Sequence, residues 1–175
     1  MLQRHAAGKD VLEIGSAFGA SAIAMIQGGA KSVTCIDPFW EGADLARYDT
    51  FRENVEPYPE ITHHRERSEK IVPQLPDKHF DLAFIDGCHK FDSVSKDILV
   101  SIPKLKDDGL LAFHDYAKDG RGLNGPVRAV NTYFPVGEHV DLCVKLVVFR
   151  KDQFKGDLEN PCWLPPWEPA PQPSS

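Results

Sequence analysis

The sequence predicts an open α/β fold, a mostly parallel sheet of seven strands with an antiparallel closing strand and helices on both faces. Three observations predict it. Short apolar runs alternate with segments of helical spacing along most of the chain, in the order β-α-β-α-β-α-β-α-β-α-β-β. The runs Phe80 to Ile85 and Leu110 to Phe113 are almost wholly apolar, as strands buried on both faces must be. Four strands run out into acids or histidines, at Glu13, Asp37, Asp86 and His114-Asp115. Core strands need no such residues at their tips, so four on one edge of a sheet point to a ligand site.

The stretch Asp10 to Ala20, D-V-L-E-I-G-S-A-F-G-A, organises the rest. Val11, Leu12 and Ile14 make a strand, and Gly15 and Gly19 bracket a turn into a helix marked by Ala20, Ile23, Ala24 and Ile26. Glycine lets backbone approach a ligand, and a helix N-terminus offers unpaired N–H groups. Gly28 and Gly29 stop that helix, and Ser32 to Asp37 reads as a second strand ending in an acid. The distance from Glu13 to Asp37 is about that at which nucleotide-binding units present a carboxylate to ribose hydroxyls.

Further along, Pro38 to Gly42 is a loop whose Phe39 and Trp40 either wall an adenine or cap the core. Leu45 to Val55 is helical, and Ile61 to Glu66 is a polar edge strand. His63 and His64 on it point to opposite faces, a poor chelate, and are expected to be solvated. Ser68 to Leu75 is a short helix with Ser68 as its cap or an adenine contact. After the Phe80 to Ile85 strand, Gly87 turns the chain and His89 follows Asp86 by three residues, on a loop of the ligand-binding edge. Phe91 to Leu105 is helical despite Pro103, and Asp107-Asp108-Gly109 is a turn. Tyr116 to Gly125 is a candidate mobile loop over the site, and Pro126 opens a helix from Val127 to Phe134. Val140 to Arg150, interrupted at Lys145, gives two final strands or one bent one.

Composition bounds the function. With 175 residues, 42% of them hydrophobic, the chain suits one domain. We divide it into a lead-in at 1–9 too short for a full helical element, a domain at 10–151 and a tail at 152–175. Six of the fourteen prolines fall between Pro161 and Pro173, so the tail is expected to be irregular, with Trp163 and Trp167 free to pack on the domain or a partner. No run reaches membrane-spanning length and no signal peptide precedes the first strand, so a cytoplasmic protein with no membrane partner is expected. Cys35, Cys88, Cys143 and Cys162 form no C-x-x-C pair and are expected to be free thiols. The net charge of −6 argues against nucleic acid as a partner.

A dinucleotide loop would carry G-x-G-x-x-G, but Ala17 stands where the middle glycine belongs, and a P-loop would need G-K-[ST]. V-L-E-I-G-S-A-F-G-A-S resembles the first motif of class I S-adenosylmethionine-dependent methyltransferases, and V-T-C-I-D-P-F resembles their second. F-D-L-A-F-I-D-G-C-H-K-F-D-S-V-S-K-D and L-K-D-D-G-L-L-A-F-H-D-Y resemble the branch that includes macrocin and mycinamicin sugar O-methyltransferases and cephalosporin hydroxylase-like proteins. The resemblance covers about Asp10 to Lys151 and implies a Rossmann-like methyltransferase sandwich.

The resemblance implies that Glu13, Gly15 and Gly19 form the cofactor loop around the methionine portion of S-adenosyl-L-methionine, with Ser16, Ala17 and Phe18 contributing backbone. Asp37 would hold the ribose hydroxyls, and Ser68 would lie near the adenine. Asp86, also at the cofactor, would begin a site for Mg2+ or another divalent metal that His114 and Asp115 complete. Relatives carry Asp-Asp or Asp-Asn where this chain has His114-Asp115, and histidine is a softer donor than magnesium prefers.

Methyl transfer from a sulfonium needs mainly alignment of the acceptor and removal of its proton. His89 stands where catechol-type relatives carry a catalytic lysine, and a histidine accepts protons near neutral pH. It is therefore the expected base, against a purely structural loop histidine; His114 is the alternative if no metal binds. The expected acceptor is a hydroxyl of a small molecule of sugar or natural-product type. Relatives have helices before the first strand that cover the cofactor, whereas nine residues precede Asp10 here. The expectation is a fragment, or a homo-oligomer in which another subunit closes the site. A non-catalytic domain binding cofactor or protein is the alternative; a nicotinamide-binding module is disfavoured by the glycine pattern.

Overall fold

Alternation along the strands sorts the apolar residues into two cores, one on each face of a seven-stranded sheet. The structure, a computed structural model, describes residues 1–39, 43–119, 122–123 and 125–159. Its elements run α1 (Leu2–Ala6), β1 (Asp10–Ile14), α2 (Ala20–Gln27), β2 (Ser32–Ile36), α3 (Ala43–Val55), β3 (Ile61–His64), α4 (Ser68–Ile71), β4 (Phe80–Ile85), α5 (Phe91–Ser101), β5 (Leu105–Phe113), α6 (Gly125–Tyr133), β6 (Asp141–Cys143) and β7 (Leu146–Arg150). The sheet order is β3-β2-β1-β4-β5-β7-β6, parallel through β5 and antiparallel on both sides of β7. This is the expected mostly parallel sheet, closed by an antiparallel strand. Among the described residues no helix is long and apolar enough to cross a membrane.

Leu12, Ala83, Leu111 and Val147 face the core that takes in α5 and α6, while Val11, Leu82, Ala112 and Val148 face the core of α1, α2 and α3. Glu13 shares the second face, which is why its side chain turns under the first loop and not into solvent. β1 lies between β2 and β4, so the chain leaves it in one direction and returns on the other side. The last rungs are Gly15 N–H to Ile36 O at 2.9 Å and Asp86 N–H to Ile14 O at 2.8 Å. Beyond them the loops part at this switch point and leave a cleft.

Several expectations change. The lead-in is helical: α1 is too short to stand alone, but Ala6 is buried against α2 and Gln3 Nε2 donates to Ala24 O at 3.0 Å. The Asp107-Asp108-Gly109 turn lies inside β5. Leu105 pairs with Phe80 and Leu110 with Leu82, so the acidic residues bulge out without ending the strand. α5 stops at Ser101 and Pro103 sits in the 3-10 turn Ile102–Lys104 that follows. Phe39 is a core cap, buried against Tyr48 and Phe51. His63 is packed, not solvated: the Tyr48 hydroxyl is 3.0 Å from its Nε2 and the Phe51 ring meets it edge-on. Burial, then the Arg52 and His64 charges, lower its pKa. Ser68 is the first residue of α4, with Arg67 at the cap position.

In the stretch Tyr116 to Gly125, Lys118–Asp119 pairs antiparallel with Gly122–Leu123. Residues 120, 121 and 124 are outside the described residues. So are Trp40, Cys162, Trp163 and Trp167; Cys35, Cys88 and Cys143 are free thiols.

Gly15 and Gly29 have the same left-handed φ, 89° and 92°, but different surroundings. A Cβ on Gly15 would lie 2.3 Å from Asp86 O, whereas one on Gly29 would meet nothing within 4 Å. Gly29→Ala should cost the conformational penalty alone, about 1–2 kcal/mol. Gly15→Ala should cost that plus about 1–3 kcal/mol of overlap with the neighbouring strand. Urea denaturation of the two variants checks this; equal losses would contradict it.

Candidate active site

The cleft holds about 660 Å3 and is open to solvent on the carboxyl edge of the sheet. The loops after β1 and β2 supply Gly15, Ala17 and Asp37 to its lining, α4 supplies Ser68, the loop after β4 supplies Asp86, Gly87 and Cys88, and α5 supplies Ser93, Lys96 and Asp97. Of the expected cofactor residues, Gly15, Ala17, Asp37, Ser68 and Asp86 thus share one cavity. Glu13, Ser16, Phe18 and Gly19 are not in its lining.

Asp37 shapes that loop. Its Oδ2 accepts the N–H groups of Ser16 and Ala17, both at 3.0 Å, and its Oδ1 accepts Phe39 N–H at 3.1 Å. An ionised carboxylate offers about four lone-pair sites, so about one remains for a ligand hydroxyl. Ala17, in place of the glycine of the motif, has φ 46°, the left-handed conformation that glycine tolerates best. Beneath the loop, Glu13 is wholly buried and accepts from Ser21 Oγ at 2.5 Å and from Cys35 Sγ at 3.2 Å. Burial pushes the Glu13 carboxyl above its ordinary range, and burial followed by the Glu13 charge pushes the Cys35 thiol up. Phe18 is half exposed under the Arg47 guanidinium, 5.7 Å from the ring centre, and its carbonyl accepts from Asn54 Nδ2 at 2.9 Å. Gly19 caps α2 and packs against Phe51 and Val55.

Beside the cleft stands a second group, centred on Asp115. His89 Nε2 is 3.0 Å from Asp115 Oδ2, His114 Nδ1 is 3.1 Å from the same oxygen, and Lys145 Nζ is 3.4 Å from Oδ1. His114 Nδ1 is also 3.3 Å from Asp86 Oδ1. Asp115 is held at φ 54° after β5, a strained turn for a non-glycine residue. Burial, its largest influence, would raise the Asp115 carboxyl, but the close contact and charge of His114 and the charge of His89 outweigh it and hold the group low. For Asp86 burial wins: with the Asp115 charge it raises the carboxyl against the pull of His114 and His89.

The structure brings the three expected metal ligands together. One atom from each of Asp86, His114 and Asp115 lies within 4.8 Å of the others. His114 Nδ1 is buried between the two carboxylates with no hydrogen bond of good geometry, the situation a shared cation would relieve. The donors therefore fit a divalent ion.

Sequence reasoning missed Lys145 and Asp97. Lys145 read as an interruption between strands; it reaches the site because Val144 turns the β6–β7 hairpin at φ 52° and Tyr116 N–H bonds to Lys145 O at 2.9 Å. Asp97 carried a signal, since it sits three residues from Val94 and next to Ile98 on the buried face of α5. It is buried, accepts a short hydrogen bond from Ser68 Oγ, and burial pushes its carboxyl up to about 7.

Residues 12–116 match a family model whose description is a methyltransferase domain. No curated protein matches the chain. An S-adenosylmethionine-dependent methyltransferase from Mesorhizobium loti is 22% identical, with 69% of this chain and 57% of that one covered at a TM-score of 0.52. A protein from Corynebacterium glutamicum is 19% identical over 86% of this chain and 78% of that one, at a TM-score of 0.63. The N-methyltransferase NodS from Bradyrhizobium japonicum, in complex with S-adenosyl-L-homocysteine, is 18% identical over 85% and 83% of the two chains, at 0.59. The chain thus spans little more than half of the first of these. At such identities the likeness is one of fold, and the fold is the α/β, Rossmann-like sandwich of methyltransferases.

Asp97 gives the molecule a pH signature. Its folded value of about 7 lies above the ordinary 3.8, so between those values the folded state holds a proton that the unfolded chain has lost. The contribution of Asp97 to stability therefore falls as pH rises from 3.8 to about 7 and the loss is complete above. Asp97→Asn cannot titrate there, while the neighbouring Glu69 and Lys96 charges are common to both proteins. Its melting temperature should gain on the parent across that interval and keep the gain at higher pH. A pH-independent difference would contradict the assignment.

Proposed function

The chain belongs to the methyltransferase-domain family, and we propose that it transfers the methyl group of S-adenosyl-L-methionine to a hydroxyl of a small molecule. The observation that carries this is the pairing of His89 with Asp115 at 3.0 Å, on the same sheet edge as a cleft that joins the glycine loop, Asp37 and Ser68. In this reading Gly15 and Ala17 border the methionine portion, the remaining acceptor capacity of Asp37 takes a ribose hydroxyl, and Ser68 marks the base end. Glu13, Ser16, Phe18 and Gly19 keep the loop in the shape that admits the cofactor.

The sulfonium carries its own activation, so the protein has two tasks: to align the acceptor oxygen with the methyl group and to take its proton. His89 is suited to the second. With Nε2 directed at Asp115, its Nδ1 is left as the basic nitrogen, and the carboxylate stabilises the imidazolium that forms. Lys145, beside Asp115 Oδ1, fixes the other side of that carboxylate. A divalent ion, Mg2+ or another, held by Asp86, His114 and Asp115 would polarise the acceptor hydroxyl and make it easier to deprotonate. The motifs around Asp86 to Asp97 and Leu105 to Tyr116 support placement in the branch of sugar O-methyltransferases, and hence a sugar or natural-product acceptor.

Calorimetry with S-adenosylhomocysteine should show binding to the whole chain, weakened about tenfold to a hundredfold by Asp37→Ala. No binding by the parent would remove the cofactor reading. In a screen of hydroxylated acceptors with labelled cofactor, His89→Gln should lower kcat by about 10²–10⁴ with cofactor affinity unchanged. Undiminished turnover would remove His89 as the base, and turnover insensitive to chelators would remove the metal.

A further inference from the structure

Asp97 is a buried carboxyl that the proposed mechanism does not use. It is 5% exposed, yet it lines the cleft together with Ser68, Gly87 and Cys88. Among the described residues its one hydrogen bond comes from Ser68 Oγ, to Oδ1. Oδ2 is aimed elsewhere. It lies next to the loop after β4, where a Cβ built on Gly87 would come within 3.5 Å of it.

A carboxyl buried with a single donor is costly to ionise, which is the reason its value stands near 7. A second donor from a ligand would offset that cost. Resting on the cofactor reading above, we propose that Asp97 reads the cofactor's base: Oδ2 accepts a hydrogen bond from the exocyclic amino group of adenine while Ser68 holds Oδ1. An ionised carboxylate only accepts, so the arrangement selects a base with an amino group at that place and opposes one with a carbonyl oxygen. The glycine at position 87 then keeps side-chain bulk away from Oδ2.

The inference also predicts how selectivity can be inverted. Because the Ser68 hydroxyl donates to one side-chain oxygen, an asparagine at 97 would turn its oxygen to Ser68 and its amino group to the cleft. That amino group would donate to a keto base.

The test is titration of the whole chain with S-adenosylhomocysteine and with S-inosylhomocysteine, its 6-oxo counterpart, at about pH 8, where the carboxyl is ionised. The parent should favour the adenine form about tenfold or more. Asp97→Asn should erase or reverse that preference without a lower melting temperature, and Ser68→Ala, which releases Oδ1, should reduce it without reversing it. A parent that binds both nucleosides equally overturns the inference without any variant. So does an Asp97→Asn protein that still favours adenine as strongly as the parent. A parent that binds neither nucleoside overturns the cofactor reading itself, an outcome distinct from equal binding.

Discussion

The site depends on one carboxylate that ties the ends of two strands together. Asp37, just past β2, accepts N–H groups from Ser16, Ala17 and Phe39 and so holds the glycine loop after β1 against the loop after β2. Charge-assisted hydrogen bonds of this kind are the stronger ones, and three on one group can hold Ala17 in a conformation it would not choose alone. The switch point between β1 and β4 does the rest, since the loops diverge there and leave the bottom of the cleft to Ile14 and Gly15. A loop fastened from behind keeps its shape before a ligand arrives, which limits the ordering cost of binding.

Asp115 plays a comparable part at the other end, with a different balance of forces. It gathers His89, His114 and Lys145 around one carboxylate, at distances of 3.0 to 3.4 Å. The same oxygen that contacts His89 is within reach of His114, so the proposed base and the proposed metal site would share one residue. Occupancy by a cation would compete with the histidines for the lone pairs of Asp115. Lys145 supplies positive charge there from the adjoining β6–β7 hairpin, at the same end of the sheet.

Much of this was legible from residues alone because periodicity and strand-end chemistry are local. Two-faced apolar runs gave the parallel strands, and the acids and histidines at their ends gave the cleft. The missed features depend on distant contacts. α1 forms because it docks on α2, not because its five residues favour a helix. The acidic Asp107-Asp108-Gly109 reads as a turn, yet strand pairing with Phe80 and Leu82 on either side keeps it in β5. Lys145 was legible as the break between two final strands, but its contact with Asp115 depends on the pairing of β7 with β5, which no spacing along the chain announces. Asp97 differs: its place on the apolar face of α5 is visible in the helical pattern, and a charge on such a face is a signal in its own right. Sequence reasoning also gave cofactor contact to whole motifs, while the structure divides them into residues that line the cavity and residues that hold the loop.

The central claim is that this fastened loop is the floor of an S-adenosyl nucleoside site. A crystal structure of the chain with S-adenosylhomocysteine tests it most directly. The account predicts a ribose hydroxyl at hydrogen-bonding distance from Asp37, about 2.6–3.2 Å, with the Ser16 and Ala17 N–H contacts to that carboxylate retained. A nucleoside seated away from Asp37, or a loop that must release Asp37 to admit it, would contradict the account.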